Sequence, residues 1–119
     1  MTLTQLLEQI RQQPDQLQFD QVIDVIDRYY DYQPGGFYNG LGDDRQYNAP
    51  GTNIGSSKIF AFAQLQQLNP QQTLQLFGDY YRQHVLGDPD GSDHMNIRRF
   101  MRHGWAGIEF EHFPLQARN

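Results

Sequence analysis

Between Asp31 and Ser56 the chain reads DYQPGGFYNGLGDDRQYNAPGTNIGS and holds six of the molecule's 11 Gly, two Pro and three Asn. Neither a 3.6-residue nor a two-residue apolar period survives that density of turn formers, so an uninterrupted helical bundle is excluded. Connections this long inside a domain carry function or short strands of their own. The stretches 36–39 and 45–47 are where strands fit.

On either side the pattern is helical. Leu3, Leu6, Leu7 and Ile10 recur at helical spacing behind Thr2 and Gln5, a capping-box pair, which predicts helix one over 3–13. Pro14 breaks it, and Phe19, Val22, Ile23, Ile26 and Tyr30 carry helix two to about Asp31. Helix three is expected over 58–68, apolar on nearly all sides and therefore central. Asn69, Pro70 and Gln72 read as N-cap, N1 and N3 of helix four, with Leu74, Phe77, Tyr81 and Val85 on one face. Gly78 in its middle implies close approach of another backbone. Ser92 or Asp93 is expected to cap helix five, which turns Ile97, Phe100 and Met101 inward and stops at Gly104. Ile108 and Phe110 then alternate with Glu109 and Glu111, a strand over 107–113. Its partner is sought in the 36–48 region. The class is α+β, with about five helices around a central one and a small sheet or ribbon, in one domain over 1–119.

Composition narrows the function classes. Seven Tyr and eight Phe spread along the chain supply a core and argue against disorder. With no Cys, disulfide scaffolds, thiolate zinc sites and cysteine nucleophiles are excluded, and a reducing compartment is the default. No run approaches the length of a membrane span, and the N-terminus lacks a Sec signal pattern. A net charge of -5 argues against nucleic acid as a partner.

Several blocks of this sequence resemble, in order, those of the HopJ type III effector family. They are Phe37-Tyr38-Asn39-Gly40, then 53–58 with Phe60-Ala61-Phe62-Ala63, then Phe77-Gly78-Asp79-Tyr80-Tyr81. The most specific runs from Gly91 through Ser92-Asp93-His94-Met95-Asn96-Ile97-Arg98-Arg99-Phe100 to Met101, with Gly104-Trp105-Ala106-Gly107-Ile108 after it. The resemblance implies a small bacterial α+β domain with no established reaction, cofactor or catalytic residues. With a reducing compartment as the default and no Sec signal pattern, the bacterial cytoplasm is the expected location; type III secretion and a host protein as partner follow from the family name alone.

Two stretches carry candidate chemistry. At Asn53 to Lys58 a Gly-containing turn opens a helix whose first amides, expected at Ser56, Ser57 and Lys58, would attract an anion. Two hydroxyls and the chain's only Lys add donors. The competing reading is a Ser N-cap on a core helix. In the second stretch, His94 beside Asp93 has the residue types of a general acid-base pair, while Asn96 and Arg98 suit an oxyanion; a cap and a structural ion pair explain the same residues. Together with Asn39 and Trp105, these residues are expected to line one polar cleft, over 37–58 and 93–105, that takes a small anionic ligand or a peptide carboxylate. The alternative is a small hydrolase- or transferase-like enzyme using His94. Metal binding by His84, Asp88, Asp90, Asp93 and His94 is a lesser reading: the turn Asp88-Pro89-Asp90-Gly91 offers oxygen ligands but fails EF-hand spacing, Gly91 coming too early with no closing Glu, and no metal is assigned. The stripe Asp20, Asp24, Asp27 and Asp31 reads as a solvated face.

Overall fold

The computed structural model describes residues 1–118. Five α-helices, α1 (Leu3–Gln12), α2 (Phe19–Tyr29), α3 (Ile54–Leu65), α4 (Pro70–Gln75) and α5 (Met95–His103), are joined by a π-helical segment at Tyr80–Val85. Five short strands, β1 (Tyr30–Tyr32), β2 (Phe37–Asn39), β3 (Gln46–Asn48), β4 (Glu109–Phe110) and β5 (Leu115–Ala117), complete an α+β fold. Local chemistry sets two helix starts as expected. Thr2 and Gln5 close a capping box on α1, and Asn69 and Gln72 close another on α4, with Pro70 at the first position.

α3 is the central helix. Ile59, Phe60, Ala61, Phe62 and Ala63 are fully buried, so the helix is enclosed by other elements on most sides. The Phe60 ring meets Phe37 of β2, Phe77 beyond α4 and Phe100 of α5 at centroid distances of 6.0, 5.5 and 5.0 Å. Such pairs add about 0.5–1.5 kcal/mol each beyond the area they bury. Sheet, central helix and α5 are thereby locked to one another.

Two antiparallel sheets flank the helices, one of order β3-β2-β4 and one pairing β1 with β5. In the first, Phe37 faces Asn48 on one side and Phe110 on the other, so the 36–48 region and the C-terminal segment pair as expected. The expected strand over 107–113 is shorter, however. Residues 104–107 wind into a 3-10 turn whose Gly107 carbonyl accepts the Gly40 amide at 3.0 Å. A Cβ on Gly107 would lie 2.8 Å from the Gly40 nitrogen, so this backbone contact requires glycine. The second sheet was not foreseen. Helix two stops at Tyr29 because Tyr30 to Tyr32 extend and pair with Ala117 to Leu115.

Three further differences have local causes. α3 begins four residues before its expected start, at Ile54, led by Asn53 in the left-handed region. Helix four is not continuous: Gly78 adopts φ +60° against the backbone of Leu17, Gln18 and Phe19, and the chain restarts as the π segment. The close approach was anticipated; the break was not. Met101 is 43% exposed rather than inward, leaving Ile97 and Phe100 as the core contacts of α5.

Candidate functional site

Four asparagines join the two candidate stretches. The Asn48 side-chain oxygen accepts from Asn53 Nδ2 at 2.6 Å and from Asn96 Nδ2 at 2.9 Å. Asn39 Nδ2 donates to both Asn96 Oδ1 and the Asn96 carbonyl at 2.9 Å. β2, β3 and the starts of α3 and α5 are therefore held by one amide chain, buried at Asn39 and Asn48 and reaching the surface at Asn53. The low local dielectric strengthens its buried links. Asn39 Oδ1 and Ser57 Oγ are buried without a partner, a cost of about 1–3 kcal/mol apiece that the rest of the packing offsets.

This chain of amides brings the start of α3 against the start of α5 across a cleft of about 360 Å³. Asn53, Gly55 and Ser56 line one wall, and His94, Met95 and Asn96 the other, over a base of Phe19, Phe77 and Tyr80. Both helices start alike. Asn53 (φ 48°, ψ 45°) and His94 (φ 50°, ψ 48°) are left-handed N-cap residues, and neither side chain caps its helix. Left-handed conformations of non-glycine residues are uncommon and are retained only where the surroundings impose them. At His94 this replaces the cap expected from Ser92 or Asp93.

The amides available to a ligand are accordingly shifted from those expected. Ser57 N–H donates to the Asn53 carbonyl at 3.0 Å, so the unpartnered donors of α3 are those of Ile54, Gly55 and Ser56. In α5, Ile97 and Arg98 both donate to the His94 carbonyl, leaving Met95 and Asn96. Each helix start carries the positive end of its dipole, equivalent to about half an elementary charge. Among the described residues no carboxylate lines this cleft.

Other expected site residues sit elsewhere. Lys58 turns toward α2, with Nζ 2.7 Å from Asp27 and 5.2 Å from the Tyr32 ring centroid. Trp105 donates from Nε1 to the Leu68 carbonyl at 2.9 Å and packs edge-on against Phe100. Asn39 lies behind the cleft, in contact with Asn96. Arg98, 3% exposed, ties down the preceding turn: Nε and Nη1 donate to the Asp93 and Asp88 carbonyls at 2.6 and 2.8 Å, and Nη2 to Asp93 Oδ1 at 2.6 Å. The acid stripe is partly neutralised, with Asp24 on Arg28, Asp27 on Lys58 and Asp31 on Arg118.

Asp93 and His94 do not hydrogen-bond; their nearest approach is 3.8 Å. His94 Nε2 instead faces His84 Nδ1 of the π segment at 3.1 Å. The lining residues not singled out from the sequence, Phe19, Phe77 and Tyr80, look like ordinary core positions of amphipathic helices, and Asn48 like one more turn residue. Their spacing does not mark them; the one signal is that Phe77 and Tyr80 fall in a block that carries the family resemblance.

Two carboxyls sit below their ordinary range. The Arg98 hydrogen bond lowers Asp93, and hydrogen bonds from His103 and then Arg102 lower Asp44. Because both are depressed in the folded state, the stability they contribute is present in full above about pH 4 and is lost as the pH falls through their lowered values. The acid limb of a stability-versus-pH curve, followed by urea midpoints, is expected below about pH 4 and should flatten in Asp44→Asn.

A family model described as HopJ type III effector protein matches residues 3–115. The crystal structure of a protein of unknown function, VPA0580, superposes with a TM-score of 0.93 at 42% identity, covering 99% of this chain and 95% of that one. No curated protein matches. Among the described residues no helix is long and apolar enough to cross a membrane.

Proposed function

We propose a binding role for this chain, which belongs to the HopJ type III effector family: the cleft between α3 and α5 takes a small anionic ligand or a peptide carboxylate. One observation carries this reading. Two helix starts, both without a side-chain cap, line the same cavity with first-turn residues Gly55 and Ser56 of α3 and Met95 and Asn96 of α5. Anions bind such ends because the donors and the partial charge are fixed in place before the ligand arrives. The aromatic base suits an organic ligand whose charged end sits between the helices. The alternative of His94 as a general acid-base finds less support, since the Asp93 carboxylate that would orient it is engaged by Arg98.

Ser56→Glu separates a binding role from a structural one. A carboxylate in the first turn of α3 complements the dipole, so the free protein should melt at an unchanged or slightly higher temperature. The same charge at the cleft wall should weaken binding of inorganic phosphate and of a peptide with a free C-terminus by at least tenfold, by the like-charge penalty. Calorimetric titration in the presence of a chelator reads both. Binding that persists in Ser56→Glu, or that neither probe shows in the parent, refutes the assignment.

A further inference from the structure

We propose that His84 and His94 form a capture site for a divalent transition-metal ion at the edge of this cleft, a site that stands whether or not the cleft binds anions. The two rings come from different elements, the π segment and the left-handed residue ahead of α5. His84 Nδ1 and His94 Nε2 are 3.1 Å apart. Two imidazole nitrogens bound to one ion at about 2.0–2.1 Å stand about 2.9 to 3.4 Å from each other, depending on whether the angle at the metal is octahedral or tetrahedral. The nitrogens already stand at the spacing of a shared ion; the ring centroids, 5.3 Å apart, show the rings pointing nearly at each other, so each tilts by about 40° to aim its lone pair at the ion.

Their surroundings favour capture. Tyr80 packs on both, at centroid distances of 5.6 Å to His84 and 5.1 Å to His94, and holds the rings together at the surface. A carboxylate is at hand as well, because Asp93 gives Oδ1 to Arg98 and leaves Oδ2 3.8 Å from His94 Nε2. Imidazole nitrogens with a carboxylate select Zn²⁺, Ni²⁺ or Cu²⁺ over Mg²⁺ and Ca²⁺. Among the described residues no three such side chains already surround one point, so water fills the remaining positions of the ion. When two neutral rings share a hydrogen bond, one nitrogen of the facing pair carries a proton. On capture that proton moves to the outer nitrogen of the same ring, and both facing lone pairs go to the metal.

The test uses the full chain freed of metal with a chelator and titrated with ZnCl₂, NiCl₂ or MgCl₂ in a buffer without phosphate. One equivalent of Zn²⁺ or Ni²⁺ should bind, and free ion at about 100 times its dissociation constant should raise Tm by roughly 10 °C. Mg²⁺ should do neither. His84→Ala, at an exposed position, and His94→Asn, which keeps a residue tolerant of the left-handed conformation, should each weaken binding at least tenfold while the metal-free proteins melt normally. In nitrogen NMR the ion should move His84 Nδ1 and His94 Nε2, leaving the opposite nitrogen of each ring protonated. No binding, or binding unchanged in His84→Ala, overturns the proposal; the latter would place the ion on His103 or His112.

Discussion

Replacing Gly78 with alanine is expected to cost about 3 kcal/mol and to lower Tm by roughly 10 °C. Two effects add. At φ +60° an L-residue pays about 1–2 kcal/mol in the left-handed region. Its Cβ would also lie 2.8 Å from the Phe19 backbone nitrogen and 3.3 Å from the Gln18 Cα, and backbone cannot rotate aside as a side chain can. Relief requires the start of α2 to move, at about 1–3 kcal/mol for overpacking of this kind. Phe19 and Tyr80 would shift with it, so ligand binding in the cleft should fall together with stability. Urea denaturation and phosphate titration of Gly78→Ala measure the two; an unchanged midpoint would show that the contact is loose.

Arg98→Ala is the second large effect, also about 3 kcal/mol, because several charge-assisted hydrogen bonds from one buried guanidinium disappear together. The carbonyls of Asp88 and Asp93 lose their donor, and the turn ahead of α5 loses what positions His94. Lysine should not rescue it, since a single ammonium cannot reproduce a fork that reaches both carbonyls and the Asp93 carboxylate. The Asp93 carboxyl should return toward its ordinary range, so the acid limb of the stability curve becomes shallower than in the parent. Melting curves of Arg98→Ala and Arg98→Lys across pH 3 to 7, a window spanning the carboxylate range of about 4, check both statements. A stable lysine variant would show that charge rather than geometry holds the turn.

What could be read from the sequence follows the range of the forces involved. The starts of α1 and α4 rest on side chains three residues apart, so Thr2 with Gln5 and Asn69 with Gln72 announce them locally. The glycine stop after α5 is equally local. By contrast, β1 and β5 are three residues each, too short to display a period, and exist because Tyr30–Tyr32 and Leu115–Ala117 meet. The interruption at Gly78 depends on where α2 begins, and the direction of Lys58 on where Asp27 lies. Within the site, residue types drew attention to Asn53, Ser56, His94 and Asn96, which do share the cleft. The bond through Asn48 that joins them, and the facing of His84 with His94, are tertiary events without a sequence signature.

The two sheets share one property that bears on how the molecule is made. β4 closes the first against β2 and β5 closes the second against β1, so both ladders await a stretch of chain that leaves the ribosome after everything it pairs with. Until then Tyr30 has no cross-strand partner and Phe37 is paired on one side only, with Asn48 of β3. Such long-range closure is slow relative to helix formation. Substitutions at residues 109–117 are therefore expected to act on the folding arm of a chevron plot more than on the unfolding arm.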